Sequence, residues 1–273
     1  MVSAEPALPE AHDPSQPSVA RMYDYYLGGT HNFAIDRAAV SAVESALPEI
    51  RPIALENRAF LRRTVRWMAK QGIAQFIDIG SGLPTASNTH DVAQQLNPAA
   101  TVVYVDIDPT AVRQAREIIA AQRQQARVGV VRASALHPGD ILAHSETARL
   151  IDFRRPVGVV MMALVHFFLP AQYEPMFAAM RNALAPGSYF AMTHGTRDGR
   201  SVDVVERTER VYAMTPTPLY LRSKAEIGPI FQGLEMVEPG IVKVDKWKMD
   251  EAEEGECQPE VTGIWYGGVG KVV

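Results

Sequence analysis

The chain has 273 residues, of which 47% are hydrophobic and 21% are charged, and its formal net charge is −4. These values are ordinary for a globular protein, and they exclude a fibrous or wholly disordered chain. The acidic excess argues against nucleic acid as the main partner, because a phosphate-binding surface usually brings a basic excess.

The cysteine count and the hydropathy of the chain indicate its cellular location and exclude some kinds of site. The single cysteine, Cys257, can form neither an intramolecular disulfide nor a thiolate metal cluster, so we expect a reducing, cytoplasmic location and no metal. No apolar run approaches the about 18 residues that span a bilayer, so we expect no membrane partner. Residues 1–17 contain four prolines and several acids, which predicts a disordered tail and not a signal peptide.

Three helices are predicted over residues 18–72, ahead of any strand. Ser18 can cap the first helix, which ends at the pair Gly28 and Gly29, and Asp36 marks the start of the second. The third carries apolar residues at helical spacing and ends at Gly72. Such an extension is not part of a nucleotide crevice, so we expect it to pack over or beside one.

Residues 73–273 are predicted to form one domain in which strands and helices alternate. Strands are predicted at 75–79, 101–106, 127–133, 157–163 and 188–194. Four helices are predicted between and after them: one that starts near Ser87, one that Asp108 caps, one near 138–148, and one through Met176–Leu184. This alternation predicts an α/β fold with a doubly wound, mostly parallel sheet. Beyond it we expect helices through Val204–Tyr212 and near 223–233, then antiparallel strands near 235–245 and 261–270.

One stretch organises the rest of the chain. An apolar strand runs into the turn Gly80-Ser81-Gly82, and a second apolar strand ends at Asp106, 24 residues beyond Gly82. This spacing is near the ~20 residues expected between a glycine-rich loop and a ribose-binding acid, so it predicts a nucleoside-binding crevice.

The same stretch favours one class of nucleoside. A dinucleotide site would place a third glycine at Thr85, and a carboxylate at Asp78 would repel a diphosphate. The sulfonium and ammonium groups of S-adenosylmethionine suit that carboxylate. A nicotinamide dinucleotide stays open as the less favoured ligand.

A set of motifs spread along the chain links it to a known family. The motifs are Ser18–Gly29, Asn32–Phe33, Glu56–Arg58, Phe76–Thr85, Val105–Pro109, Thr193–Gly195, Leu221–Ser223 and Tyr266–Gly270. Together they resemble the bacterial S-adenosyl methyltransferase family that was formerly catalogued as a domain of unknown function. The resemblance implies a class I methyltransferase sheet (Rossmann-like) of seven strands, the last antiparallel, with S-adenosylmethionine as cofactor. It implies no particular acceptor.

The crevice and the resemblance together select candidate site residues. Asp106 is expected to accept hydrogen bonds from both ribose hydroxyls, and Ser134 stands where relatives of this chain look as though they have an adenine-binding aspartate. The candidate cofactor-binding residues are Asp78, Gly80, Ser81, Gly82, Asp106, Ile107, Ser134, Ala135, Ala163 and Arg21.

The candidate catalytic residues lie outside the glycine turn. His166 follows the fourth strand and is expected to act as a base or to orient the acceptor, with His194 a weaker candidate. Tyr23 and Asn32 belong to a segment that we expect to form a lid or a substrate wall.

The sequence therefore predicts a methyltransferase that uses S-adenosylmethionine and acts on a small-molecule acceptor. The alternative is a regulatory protein that binds S-adenosylmethionine or its demethylated product without turnover. We expect neither nucleic acid nor a membrane as partner, and a homodimer stays open.

Overall fold

The computed structural model describes residues 16–84, 88–255 and 263–273. Within them a central sheet of eight strands separates two hydrophobic cores, one on each face. The predictions made for Thr85, Ser87, Cys257 and all but the last two residues of the N-terminal tail lie outside the described residues.

The three predicted N-terminal helices are confirmed. They are α1 (Val19–Tyr26), α2 (Ala34–Ala46) and α3 (Ile50–Lys70). Helix α2 begins at Ala34, two residues before the predicted Asp36, because the Asp36 carboxylate reaches back and accepts a hydrogen bond from the Phe33 N–H at 2.8 Å. Asp36 therefore caps the helix from inside its first turn.

The next part of the chain builds the parallel half of the sheet. Strands β1 (Gln75–Ile79), β2 (Thr101–Asp106), β3 (Val128–Arg132), β4 (Gly158–Met161) and β5 (Tyr189–Gly195) lie in the order β3-β2-β1-β4-β5, and all of these pairs are parallel. The intervening helices are α4 (Thr89–Leu96), α5 (Pro109–Ala121), α6 (Pro138–Ala143), α7 (Ser145–Leu150) and α8 (Pro170–Ala183).

The start of α5 agrees with its prediction, whereas the break between α6 and α7 was not predicted. Helix α5 starts as predicted, because the Asp108 side chain accepts hydrogen bonds from the Thr110 and Ala111 N–H groups at 2.7 and 3.2 Å. The single helix predicted near 138–148 is wrong. His144 has an extended backbone there, and its Nδ1 accepts from the Glu146 N–H at 3.1 Å, which ends α6 and caps α7.

The C-terminal part closes the sheet in antiparallel fashion, as predicted. It contains α9 (Val202–Tyr212), α10 (Lys224–Ile227), β6 (Glu235–Met236), β7 (Val242–Lys243) and β8 (Trp265–Lys271). Strand β8 lies between β5 and the two short strands, and it is antiparallel to all three. Both short strands pair with the same edge of β8, so the edge strand is interrupted between them, and the described sheet has eight strands where seven were expected. The helix expected near 223–233 is shorter, since a 3₁₀ turn over Gly228–Phe231 replaces its second half.

The N-terminal helices and the sheet contribute to the same core. Met22 of α1 and Phe60 of α3 belong to one hydrophobic cluster with Phe76 of β1 and Tyr104 of β2, and all four are buried. The extension therefore covers one face of the sheet, while the division of the chain at residue 72 stays a prediction. No helix among the described residues is long and apolar enough to cross a membrane.

Candidate active site

The strand order creates a crevice at one point of the sheet. Strand β1 pairs with β2 on one side and with β4 on the other, so the connections that leave β1 and β4 run to opposite sides. Parallel sheets bind ligands at such a switch point, outside the carboxyl ends of the strands. The loop after β1 lies against the segment after β4, since a Cβ added to Gly80 would come 2.7 Å from Cδ1 of Leu164.

The turn after β1 curls over the end of β2. The N–H groups of Gly80 and Ser81 both donate to the Val105 carbonyl, at 2.8 and 3.2 Å, and the Gly82 N–H donates to Oδ2 of Asp106 at 2.7 Å. Gly80 and Gly82 have φ angles of +69° and +60°, which favour glycine. A Cβ added to Gly82 would meet no atom of the described residues within 4 Å, so space among them adjoins this backbone.

Asp106 is held in place by two backbone N–H groups. Besides the Gly82 contact, its Oδ1 accepts from the Asp108 N–H at 2.9 Å. Burial is the largest influence on this carboxyl group and raises its pKa to about 6, although the backbone hydrogen bonds oppose the shift. Because each carboxylate oxygen can accept two hydrogen bonds, both oxygens keep an acceptor position for a ribose hydroxyl.

Apolar and hydroxyl groups follow β2 and β3 at the carboxyl end of the sheet, where Asp106 lies. The Ile107 side chain is 46% exposed, which is unusual for its type and leaves an apolar surface beside the acid. Ser134 and Ala135 follow β3 and are buried at the same end of the sheet. The Ser134 hydroxyl accepts from the Leu136 N–H at 3.2 Å, so its own O–H remains as a donor. These groups fit an adenine ring.

Asp78 marks the other end of the crevice. Its Oδ2 accepts a hydrogen bond from the Thr89 hydroxyl at 2.6 Å. Burial raises the pKa of this carboxyl group to about 6, against the opposing effects of Thr89 and of the positive charge on Arg58. A bound cation would stabilise the ionised form of such a carboxyl group and lower its pKa. The crevice thus combines a ribose acceptor with a position for positive charge, which is what S-adenosylmethionine requires.

Arg21, a predicted cofactor residue, lies beside the crevice between two carboxylates. Its Nε is 2.7 Å from Oδ2 of Asp36, and its Nη1 is 3.4 Å from Oδ2 of Asp108. The Ser18 hydroxyl donates to that same Asp108 oxygen at 2.6 Å, so Ser18 does not cap α1 through its side chain as predicted. The start of α1 is therefore tied to a residue two positions from Asp106, and a direct role for Arg21 in cofactor binding stays a prediction.

Tyr23 and Asn32, two predicted catalytic residues, make their hydrogen bonds within the N-terminal helices. The Tyr23 hydroxyl accepts from Nδ2 of Asn57 at 2.8 Å and donates to the Ala54 carbonyl at 3.2 Å. Nδ2 of Asn32 donates to Oδ2 of Asp24 and to the Gly29 carbonyl, which closes the turn after α1. These bonds connect Tyr23 to α3 and Asn32 to α1, and the catalytic roles of both residues stay predictions.

His166, the third predicted catalytic residue, is buried in a 3₁₀ turn after β4. Its Nδ1 accepts from the Gly195 N–H at 3.3 Å, so the neutral ring carries its proton on Nε2. Burial, together with the nearby His194 and Arg222, holds the pKa of His166 well below its ordinary value. The ring can therefore donate a hydrogen bond from Nε2, which favours orienting an acceptor over removing a proton from it. Ala163, with a φ of +52°, donates its N–H to the Thr193 hydroxyl at 2.8 Å and bends the chain toward this turn.

A second histidine and an arginine complete this part of the crevice. Nη1 of Arg222 donates to Nε2 of His194 at 2.7 Å, so Nδ1 of His194 carries the proton and donates to the Gly195 carbonyl at 2.7 Å. Burial, the largest influence, lowers the pKa of His194 to about 4. Sequence reasoning assigned no role to Arg222, Asn57 or Arg58, although the motifs Glu56–Arg58 and Leu221–Ser223 pointed to these positions.

Comparisons with known proteins agree with this geometry. A family model described as S-adenosyl methyltransferase matches residues 6–273. A putative methyltransferase from Thermobifida fusca is 37% identical, with a TM-score of 0.86 over 95% of this chain and 96% of that one. A DUF574 family protein from Streptomyces avermitilis is 34% identical, with a TM-score of 0.85 over 95% of this chain and 98% of that one.

A more distant solved structure shares only the fold. Human N-acetylserotonin methyltransferase in complex with S-adenosylmethionine is 10% identical, with a TM-score of 0.51 over 95% of this chain and 63% of that one. A search of the curated proteins found no match.

Proposed function

Because the chain belongs to the S-adenosyl methyltransferase family, whose cofactor is S-adenosylmethionine, we propose that it transfers the methyl group to a small-molecule acceptor at the crevice between β1 and β4. The observation that carries this proposal is the Asp106 carboxylate, which the Gly82 N–H holds at 2.7 Å over the end of β2. It presents two oxygens to a ribose beside a turn with room for a ligand.

Each end of the crevice would hold a different part of the cofactor. Asp106 would bind the ribose hydroxyls, with Ile107 against the adenine ring and Ser134 at its edge. Asp78 would face the cationic part of the molecule. When bound, S-adenosylmethionine supplies a methyl carbon already activated by the sulfonium, so the main task of the protein is to position the acceptor and to exclude water.

Aromatic side chains at the end of β4 support a small acceptor. The ring of Phe167 contacts that of Tyr212 with centroids 6.1 Å apart, and the Tyr212 hydroxyl lies 3.4 Å from that of Tyr26. Helices α1 and α9 thereby meet over this end of the sheet and restrict access to His166. A small molecule can enter such a space more readily than a folded macromolecule. Through Nε2, His166 would donate a hydrogen bond that orients the acceptor.

We propose a cytoplasmic location for the reaction, on the ground that Cys257 is the only cysteine. The net charge of −4 supports an acceptor other than nucleic acid. Assembly as a homodimer stays a prediction.

Two measurements test the proposal. Titration calorimetry should give binding of S-adenosylmethionine and S-adenosylhomocysteine, and no binding of reduced nicotinamide dinucleotide. Incubation with methyl-labelled S-adenosylmethionine and a metabolite extract should then move label into a small-molecule product. Binding of the nicotinamide in place of S-adenosylmethionine would overturn the proposal. Label that stays on the donor across varied extracts would instead favour a regulatory binding protein.

A further inference from the structure

A polar cluster lies between the middle of α3 and the carboxyl end of β1. It consists of Tyr23, Asn57, Arg58 and Asp78, and the proposed function assigns a role only to the last of them. Asn57 is 1% exposed and Asp78 is 3% exposed, whereas Tyr23 and Arg58 are partly exposed, so the cluster joins a buried polar pair to the surface of the crevice. Burial raises the pKa of the Asp78 carboxyl and of the Tyr23 hydroxyl, and the positive charge of Arg58 opposes both shifts, so the guanidinium lies near both groups.

Two atoms of this cluster lack hydrogen-bond partners among the residues that the structure describes. Arg58 donates from Nη2 to Oδ1 of Asn88 at 3.3 Å, but its Nε is buried and has no partner among the described residues. Asn57 donates from Nδ2 to the Tyr23 hydroxyl, but its Oδ1 is likewise buried and unpaired within the described chain. Buried polar atoms are normally paired, and leaving them unpaired destabilises the fold, so each needs an explanation.

The unpaired atoms differ in chemical character and complement one ligand type. Arg58 Nε is a donor on a cation, which suits a carboxylate. Asn57 Oδ1 is an acceptor, and with the Asp78 carboxylate it suits an ammonium group. A carboxylate and an ammonium held side by side are the two charged ends of an α-amino acid.

The position of the cluster relative to Asp106 fits the shape of the cofactor. Asp78 is in register with Tyr104, two residues before Asp106 on the neighbouring strand. Their Cα atoms are therefore about 8 Å apart, from a strand spacing of about 4.8 Å and a rise of about 3.3 Å per residue. A ribose at Asp106 would thus leave the aminocarboxypropyl chain directed toward Asp78 and α3.

We infer that Arg58 and Asn57 bind the α-amino acid end of S-adenosylmethionine, with Arg58 on the carboxylate and Asn57 Oδ1 beside Asp78 on the ammonium. This inference rests on the proposed function. It assigns the motif Glu56–Arg58, which lies on the long N-terminal helix, to cofactor recognition. The N-terminal extension then forms one wall of the cofactor site.

A ligand without the amino acid end distinguishes a cofactor-binding role of Arg58 from a structural one. Calorimetric titration of S-adenosylmethionine is compared with titration of 5′-methylthioadenosine, which keeps the adenosine and lacks the amino acid end. In Arg58→Gln the affinity for S-adenosylmethionine should fall by roughly ten- to hundredfold, as expected for loss of a hydrogen bond to a charged group. The affinity for 5′-methylthioadenosine should stay within about twofold.

Two further variants test whether the loss of affinity is specific to Arg58 and to its Nε donor. Arg51→Gln alters another arginine of α3, whose Nε pairs with Glu44 at 2.7 Å, and it should leave both affinities unchanged. Arg58→Lys keeps the charge without the Nε donor and should cause a smaller but still selective loss. If Arg58→Gln does not fold, the lysine variant decides the question by the same comparison.

The outcomes distinguish this inference from the proposed function. An equal loss of both ligands, or unchanged binding of S-adenosylmethionine, would overturn the role of Arg58 while leaving the cofactor assignment intact. If the unaltered protein binds neither ligand, the proposed function fails and this inference fails with it.

Discussion

The Ser18 hydroxyl donates a hydrogen bond to Oδ2 of Asp108 at 2.6 Å, across 90 positions of the chain. The other oxygen of that carboxylate accepts from the first N–H groups of α5. One side chain therefore caps a helix and anchors the start of α1 beside the ribose acceptor. The N-terminal segment is coupled in this way to the end of β2.

Replacing Asp108 should cost more stability than replacing Ser18. Asp108→Ala removes the cap of α5, worth about 1 kcal/mol, and also takes one carboxylate from Arg21. Ser18→Ala removes a single hydrogen bond and should cost about 1 kcal/mol or less. Urea denaturation of both variants measures the difference. If both variants lost the same free energy of unfolding, the helix cap and the Arg21 contact would contribute no stability beyond the hydrogen bond with Ser18.

The buried pair of Arg21 and Asp36 should be among the most sensitive contacts of the extension. Both side chains are nearly inaccessible, at 1% and 0% exposure. Arg21→Met leaves the Asp36 carboxylate buried without its cation and should destabilise the protein by about 3–5 kcal/mol. Arg154→Met breaks an exposed pair with Asp152 and should cost at most about 1 kcal/mol. Denaturation midpoints check both values, and similar effects of the two variants would contradict the prediction.

Local patterns in the sequence predict much of the fold. Continuous apolar runs locate β1, β2 and β4, and the Asp108-Pro109 pair locates the start of α5, because these signals act within a few residues. The interruption of the edge strand is not visible in the same way, since β6 and β7 have two residues each and no apolar alternation.

The residues of the candidate site likewise include some that local patterns predict and some that they do not. The glycine turn and Asp106 are adjacent to strand ends and could be found from spacing. The contact of Tyr23 with Asn57 joins residues 34 positions apart, and that of Arg58 with Asn88 joins residues 30 apart. Such contacts depend on how α3 packs on the sheet, which no local pattern determines. The glycine at position 29 is also explained only by the fold, since a Cβ there would come 2.0 Å from Oδ1 of Asp24.

The two glycines of the turn should respond differently to alanine. Both have positive φ, so either substitution carries a backbone penalty of about 1 kcal/mol. A Cβ at Gly80 would also displace the Leu164 side chain, whereas one at Gly82 would contact none of the residues that the structure describes. Gly80→Ala should therefore lower the thermal midpoint more than Gly82→Ala. Gly82→Ala should mainly weaken cofactor binding, and thermal melts with and without S-adenosylmethionine separate the two effects.

Cofactor affinity should weaken as the pH falls through about 6. Burial raises the pKa of Asp78 and Asp106 from 3.8 to about 6. The ionised carboxylate of Asp106 accepts from two ribose hydroxyls more strongly than the protonated group does, and only the ionised Asp78 pairs with a cation. Binding of S-adenosylmethionine should be strongest above pH 7 and decline toward pH 5. Asp78→Asn should remove part of this dependence for S-adenosylmethionine but none of it for 5′-methylthioadenosine. An affinity that does not change between pH 5 and 7 would contradict the assignment of either carboxylate.

The same acids should oppose stability at neutral pH. Because their folded pKa is higher than the unfolded value, the folded chain holds these protons more tightly. Their contribution to the free energy of unfolding is therefore most favourable below about pH 4 and declines as the pH rises to about 6. Asn at either position should flatten that part of the stability profile.

His166 and His194 should both be neutral at pH 6 and should carry their protons on different nitrogens. The Gly195 N–H donates to Nδ1 of His166, which leaves its proton on Nε2, while Arg222 donates to Nε2 of His194, which leaves its proton on Nδ1. Nitrogen-15 chemical shifts of the imidazole rings distinguish the two tautomers directly. Two rings with the same tautomer, or a ring that titrates near 6.5, would contradict this arrangement.

Removing Arg222 should raise the pKa of both histidines. Its charge lowers the pKa of each ring, although burial is the larger cause, so Arg222→Met should move both pKa values upward without restoring the ordinary 6.5. A group with a lowered folded pKa stabilises the fold above its unfolded pKa, and that stability is lost as the pH falls. For His194 the loss should run from about 6.5 down to about 4, in the direction opposite to that of Asp78 and Asp106. In Arg222→Met this loss should be smaller, because the folded and unfolded pKa values lie closer together, and denaturation across this pH range measures it.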